Sequence, residues 1–317
     1  MVSLRRYTAS DAPQWDRFVE DSKNGTFLFL RGYMDYHADR FNDHSLMFYN
    51  EKGNVTALLP ANEEDGTLYS HQGLTYGGFV LSTDTRAADV LDLFNATLAY
   101  LAENCIREWH YKQMPTCYHR CPSEEDEYAL WRCNAVLESC LISTTVPLNG
   151  CPEFPEVERR RKRGMNRALE AGYTIKESTD YESFWHIMEN NLMERYGLRP
   201  VHTIEEMLLL HSRFPERIRL FLAMKDGTPQ AGCVVYMAND NCVHIQYGHA
   251  TPQGKQDGAL DLLYLTLIEN FRNMGYRYMD FGNSNEQGGK YLNENLIAQK
   301  EGFGGRATVY KQWRITI

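Results

Sequence analysis

The sequence predicts an α/β chain of mixed sheets in two tandem modules, residues 1–150 and 151–317, each a mostly antiparallel sheet flanked by helices. Three observations predict it. A strand–turn–strand pattern occurs twice, a strand–helix–strand pattern follows both copies, and a proline-rich break separates them.

Residues 46–57 read as two β-favouring runs around Gly53, and residues 220–231 repeat the pattern around Gly227. Glycine at the turn suits a hairpin, because it adopts positive φ without steric cost. Ala61-Asn62 and Ala238-Asn239 follow at the ends of the second strands. A third strand is expected next, ending at Tyr76-Gly77 in the first copy and Tyr247-Gly248 in the second. Helices come after it. Val90, Leu91, Phe94, Leu98, Leu101 and Cys105 recur at spacings of three and four, and so do Ala259, Leu262, Leu263, Thr266, Leu267 and Phe271. A further strand follows both helices. The two turn glycines stand 174 residues apart and the two third-strand tyrosines 171, so four features keep one order and nearly one offset. Residues 146–155 hold three prolines and a glycine and form the expected linker. The acidic run Glu124-Glu125-Asp126-Glu127 suits a helix start or a solvated loop.

Composition narrows the function. Hydrophobic residues make up 43% and charged residues 24%, as in an ordinary globular protein. The first fifteen residues have no apolar core of a signal peptide, and no run of about 18 apolar residues occurs, so a cytoplasmic protein without stable membrane insertion is expected. The net charge of −9 argues against a general nucleic-acid coat. Residues 155–167 depart from it, with six Lys or Arg against two acids, which leaves −13 for the rest. Such a patch suits a phosphate-bearing ligand or a solvated helix face. Cys117, His119, Cys121 and Cys133 do not form paired CxxC spacing, and no HExxH motif occurs, so no metal is expected and metal-dependent hydrolysis is disfavoured.

The densest chemistry lies in residues 276–310. A β-favouring run ends on Asp280-Phe281-Gly282, a polar glycine-rich loop follows, and Lys300-Glu301-Gly302-Phe303-Gly304-Gly305 precedes a last β-like run. A kinase reading of Asp-Phe-Gly fails, since neither a glycine-rich ATP loop nor a His-Arg-Asp loop precedes it. Tyr278-Met279-Asp280-Phe281-Gly282, Asn295-Leu296 and the Lys300–Gly305 segment resemble the end of the FemAB family, part of the GNAT superfamily of acyltransferases. Residues 163–172, from Arg163 through Arg167 to Gly172, look like that family's basic helix, and residues 26–36 are similar to its opening segment. The predicted module order is also the GNAT order.

The resemblance implies an N-acyltransferase or aminoacyltransferase. An amine would attack the carbonyl of acyl-CoA or aminoacyl-tRNA, and the acceptor would be an amine-bearing small molecule, peptide or cell-wall precursor. It implies that the strand ending at Gly248 splays from the strand ending at Gly282, freeing backbone donors for an oxyanion. Lys300 would lie near donor and acceptor, to stabilise that oxyanion or hold a phosphate. Asp280 is a candidate general base or acceptor-positioning group, and equally a buried carboxylate that accepts from neighbouring amides. Gln253, Gly254, Lys255, Gly258 and Ala259 occupy the place of the phosphate loop. Gly254 and Gly258 stand four apart with Asp257 between, a departure from the Gln/Arg-x-x-Gly-x-Gly/Ala pattern of CoA-using relatives. Arg163 and Arg167 share a helix face assigned to the acceptor pocket, and Tyr247, Tyr76, Arg31 and Tyr36 are further acceptor-site candidates. The second module would carry the donor site, the first would be degenerate, and the cleft between them would hold the acceptor. The competing reading is a catalytically lapsed protein of this fold that binds a nucleotide-linked or peptide ligand.

Overall fold

The computed structural model describes residues 2–148 and 156–317. Residues 149–155, most of the expected linker, lie outside the described residues. The elements in chain order are β1 (Ser3–Arg6), α1 (Ala12–Asp21), α2 (Arg31–Met34), β2 (Leu46–Tyr49), β3 (Val55–Leu59), β4 (Asn62–Glu64), β5 (Thr67–Tyr69), β6 (Val80–Leu81), α3 (Ala87–Glu103), β7 (Glu108–Lys112), α4 (Glu125–Arg132) and β8 (Val136–Pro147). They continue with α5 (Arg159–Glu170), β9 (Thr174–Ser178), α6 (Tyr181–Tyr196), α7 (Ile204–Arg213), β10 (Ile218–Lys225), β11 (Thr228–Met237), β12 (Cys242–Ala250), α8 (Pro252–Asp257), α9 (Ala259–Asn273), β13 (Tyr278–Asn283), β14 (Asn285–Glu286), β15 (Tyr291–Leu292), α10 (Glu294–Glu301) and β16 (Arg306–Thr316). The chain forms two compact units: Met1–Ile142 with Gln287–Tyr291 and Thr308–Ile317, and Ser143–Glu286 with Leu292–Ala307.

In the first unit β2 and β3 form the expected hairpin, with Leu46 opposite Leu59 and Gly53 at φ +78° in the turn. β1 and β6 flank it, and β7 pairs with β5 and antiparallel with β16. Val90, Phe94 and Leu101 of α3 pack with Leu46, Phe48, Ala57, Trp109 and Tyr111 in one apolar core. The acidic run does begin a helix, with Glu125, Asp126 and Glu127 in the first turn of α4. The strand expected to end at Tyr76-Gly77 does not form there, and residues 70–77 are bends and turns. Half-buried Lys112 draws that chain together by donating to the carbonyls of His71, Gln72 and Leu74 at 3.2, 3.1 and 2.8 Å. Carbonyls that converge on one ammonium cannot also alternate along a ladder.

In the second unit the strands run β8-β13-β12-β11-β10-β9. β12 and β13 are parallel, and the other described pairings are antiparallel. The hairpin at Gly227, φ +75°, is β10–β11. One sheet face packs Val243, Ile245, Met279 and Phe281 against Leu263, Leu267 and Phe271 of α9. The opposite face takes α6, where the Phe184 ring lies against Gly232 of β11 so closely that a Cβ there would meet it at 2.6 Å. α6 is capped by the Asp180 carboxylate, which accepts from the Ser183 amide, and it stops at Gly197 in the left-handed region. Among the described residues no helix is long and apolar enough to cross a membrane.

Candidate active site

Two parallel strands in the second unit pair briefly and then part. β12 and β13 align Cys242 with Tyr278, Val243 with Met279 and His244 with Asp280, and the ladder ends there although β12 runs on to Ala250. Two local features open the sheet. β12 carries a bulge, with Ile245 opposite Val235 and Tyr247 opposite Val234, so Gln246 is the extra residue. β13 slips register on β8 between Asp280 and Asn283, and Gly282 within the slip has φ +72°. Each deforms its strand away from flat pairing, and main-chain groups beyond His244 and Asp280 border the resulting wedge. The buried Oε1 of Gln246 has no hydrogen-bond partner among the described residues, which marks the bulge as a place for a donor.

Asp280 is fully buried at the root of the wedge. The hydroxyls of Ser143 and Thr145 on β8 donate to its Oδ1, the latter at 3.2 Å, and the His244 ring meets its Oδ2 at 2.9 Å through Nδ1. A carboxylate only accepts, so Nδ1 carries the proton in this pair. The bulge at Gln246 also fixes which side chains share a face. His244 opposes Tyr236 and Tyr247 opposes Val234, two positions apart on β11, so both side chains project with Asp280 from the α6 side. Tyr247 is half-buried, its hydroxyl 2.6 Å from His202 Nδ1 and its ring edge-on to Trp185.

Lys300 lies on α10 and reaches back to the end of β13. Its Nζ donates to the carbonyls of Gly282 at 2.8 Å and Asn283 at 2.7 Å. Burial lowers its pKa to about 8, while the Asp280 charge acts in the other direction. The ammonium is thus held at the wedge by the strand that forms one side of it.

The segment expected as a phosphate loop is a short helix, α8. Thr251 caps it and Pro252 starts it, a combination that favours a helical turn. Its amides are engaged locally: Gly254 donates to Thr251 Oγ1, Lys255 to the Thr251 carbonyl and Gly258 to the Gly254 carbonyl. Lys255 Nζ bonds Asn191, and Gln253 bonds Asp257 at 3.0 Å. The Asp257 carboxylate also accepts from Tyr173 and Lys225, and these hydrogen bonds lower its pKa. A pyrophosphate cradle needs amides that point outward. Gly258 also has a packing task. At φ +84° it lets α9 start, and a Cβ there would lie 2.4 Å from the Gly164 carbonyl of α5. Ala259 beside it is buried.

The basic helix α5 docks against the start of α9. Arg161 turns inward, pairs with Asp261 and lies 5.5 Å over the Phe303 ring. Arg160 donates to the Ala298 carbonyl of α10, and the Glu158 amide to the Gly302 carbonyl. α5 therefore braces the Lys300 segment. Arg163 and Arg167 are exposed.

Arg31, Tyr36 and Tyr76 belong to the first unit. Arg31 is buried there, paired with Asp35 and Asp43 and 3.9 Å over the Tyr7 ring. Tyr76 is buried, donates to Thr26 at 3.2 Å and packs on Tyr118. Tyr36 lies against His37 at a tilt, with Arg40 over its ring. Sequence reasoning missed His244, Gln246 and Arg161. Arg161 had a readable signal, since it shares a helix face with the small residues Gly164 and Ala168.

Residues 156–291 match the family model described as an acetyltransferase (GNAT) domain. No curated protein matches the chain by sequence. Solved structures are similar over almost its whole length. FemX has a TM-score of 0.70 at 12% identity, covering 99% of this chain and 97% of that one. L-PGS from Bacillus licheniformis has 0.61 at 12%, covering 96% and 91%. A tandem GNAT protein from the clavulanic acid biosynthesis pathway has 0.55 at 10%, covering 100% and 98%.

Proposed function

We propose that this chain, which carries a GNAT acyltransferase domain in residues 156–291 within a FemAB-like tandem GNAT fold, moves an aminoacyl group from tRNA to an amine by direct attack. One observation carries the reading. The β12–β13 ladder stops at His244 and Asp280, and a lysine ammonium is held at the opening. A carbonyl in the wedge would meet main-chain donors and a cation where its oxygen gains charge, the arrangement acyl transfer needs. The unsatisfied Gln246 Oε1 suits an N–H donor such as the acceptor amine.

Two carriers follow from the resemblance, and the local geometry favours tRNA over CoA. The amides of Gly254, Lys255 and Gly258 are engaged within their own segment, and a carboxylate sits among them. Exposed Arg159, Arg163 and Arg167 on α5 offer cations to a phosphate backbone instead. The acceptor is an amine-bearing small molecule or peptide, including cell-wall precursor peptides.

The test supplies two labelled donors separately, bulk tRNA charged with radiolabelled amino acids and radiolabelled acetyl-CoA. Spermidine and a lysine-containing pentapeptide serve as amine acceptors. Label is expected to move from tRNA into an acid-stable amide. Transfer from acetyl-CoA alone would overturn the donor, and transfer from neither would overturn the reaction.

A further inference from the structure

We propose that the Tyr264 hydroxyl donates a hydrogen bond to the carbonyl oxygen under attack, as a side-chain member of the oxyanion site in the wedge. This rests on the acyl-transfer reading and adds a catalytic residue to it. Tyr264 lies on α9, and its side chain bridges the two strands that part. The ring meets Phe281 of β13 edge-on at 5.1 Å, and the hydroxyl stands beside Gly248 of β12, where a Cβ would lie 1.9 Å from the oxygen. The β12–β13 ladder ends at His244 and Asp280, so both contacts fall beyond the last paired residues. Gly248 has no left-handed φ, so the close approach of this hydroxyl, not the backbone, is what calls for glycine there.

The same ring is tied to the segment that brings the cation. Phe303 lies edge-on to Tyr264 at 5.4 Å and stacks on Phe281 at 5.5 Å, and its amide donates to the Lys300 carbonyl. Lys300 Nζ in turn is held on the carbonyl of Gly282, next to Phe281. One aromatic cluster therefore sets a hydroxyl from α9 and an ammonium from α10 at a single opening. Tyr264 is 7% exposed. Its hydroxyl has no hydrogen-bond partner among the described residues, and its titration is shifted by burial, Cys233 and Asp261. A buried phenol usually finds a partner within the protein, so this donor is left for a ligand. Burial raises its pKa, which keeps the proton on the oxygen.

The step balances without a co-reactant. The amine nitrogen forms a bond to the ester carbonyl carbon, and the carbonyl π electrons move onto its oxygen, which accepts from Tyr264 and Lys300. The carbon–oxygen bond to the tRNA ribose then breaks as the carbonyl re-forms. The proton lost by the amine ends on the leaving oxygen. An amide and a free hydroxyl result. Tyr264 and Lys300 give up no proton.

The test uses the full chain, tRNA charged with radiolabelled amino acids, and the lysine-containing pentapeptide. Tyr264→Phe keeps the ring between Phe281 and Phe303 and removes only the oxygen. It is expected to lower kcat by about 10²–10³, the range for loss of one oxyanion donor, with KM for the peptide little changed. Gly248→Ala puts a methyl where the hydroxyl stands and is expected to lower kcat as well. Made in the Tyr264→Phe background, the same alanine should cost little more, because the oxygen it displaces is already gone. A hydroxyl without a part in catalysis would leave the alanine's cost unchanged in that background. Tyr264→Phe with near wild-type kcat, or losses that multiply in the double variant, would overturn the assignment. Tyr264→Phe decides alone where the alanine variant fails to fold. Those results leave the wild-type reaction standing. A wild type inactive with either donor would remove the reaction itself and this donor with it.

Discussion

Replacing Lys300 by alanine is expected to lower turnover by about 10²–10³, the usual loss when one oxyanion-stabilising donor is removed, while the thermal midpoint stays close to that of the parent. Two of the ammonium's three N–H groups donate to the carbonyls of Gly282 and Asn283. Those bonds fix the side chain at the wedge and leave a third donor for the carbonyl that becomes charged. The lowered pKa of about 8 gives the pH signature. Below it the side chain is an ammonium, and above it a neutral amine. Turnover that depends on the cation therefore falls as pH rises through about 8. Lys300→Arg keeps the charge with a different donor geometry, so it should retain part of the rate and lose the alkaline fall. A rate that instead climbs through this pH would identify the neutral amine as the working form and contradict an electrostatic role for Lys300.

The second large effect is on stability in acid. Burial lowers the pKa of His71 to about 3 and of His119 and His249 to about 4, with His37 adding to the first and Lys255 to the last. A histidine depressed in the folded state binds its proton more readily when unfolded, near pH 6.5. All three are neutral in both states above that pH, so their stability is fully present there. It is lost as pH falls from about 6.5 toward 4, and further toward 3 for His71. A tenfold difference in proton affinity between the folded and unfolded chain is worth about 1.4 kcal/mol, so each histidine accounts for a few kcal/mol, order of magnitude, of a total that is typically about 5–15. Asp126 works against them. Burial raises its pKa to about 6, so protonation below that value stabilises the fold. Lys112 and Lys300, both near 8, express their pH dependence above the window, between about 10.5 and 8. Burial also lowers His44, which joins the three, and raises Asp16 and Asp261, which join Asp126; the histidine shifts to about 3 and 4 dominate, so melts followed by circular dichroism should show the midpoint dropping between about pH 6.5 and 4.5. A midpoint constant over that range would contradict the burial of these rings.

The fold was legible where one residue type decides a local event. Gly53 and Gly227 place the two hairpin turns, and the three- and four-residue spacing places α3 and α9. Residues 70–77 mislead because Tyr76-Gly77 aligns with Tyr247-Gly248, while the conformation is set by Lys112, more than thirty positions away. The site was half legible. Lys300 and Asp280 stand out by residue type in a glycine-rich passage. His244 does not, because its meaning depends on a parallel register with Asp280 across the intervening helices α8 and α9, and no local pattern encodes that register. The α8 turn carried a local signal, Thr251 before Pro252, that competes with the loop reading and prevails. Charge favours Arg163 and Arg167 on α5, whereas packing selects Arg161.

The most direct measurement is a crystal structure of the chain with a non-hydrolysable, amide-linked aminoacyl-tRNA acceptor-stem mimic. The carbonyl oxygen of the mimic is expected roughly 3 Å from a main-chain amide of residues 245–248, with Lys300 Nζ and the Tyr264 hydroxyl beside it. A carbonyl bound elsewhere, or β12 and β13 paired along their full length in that complex, would contradict acyl transfer at the wedge.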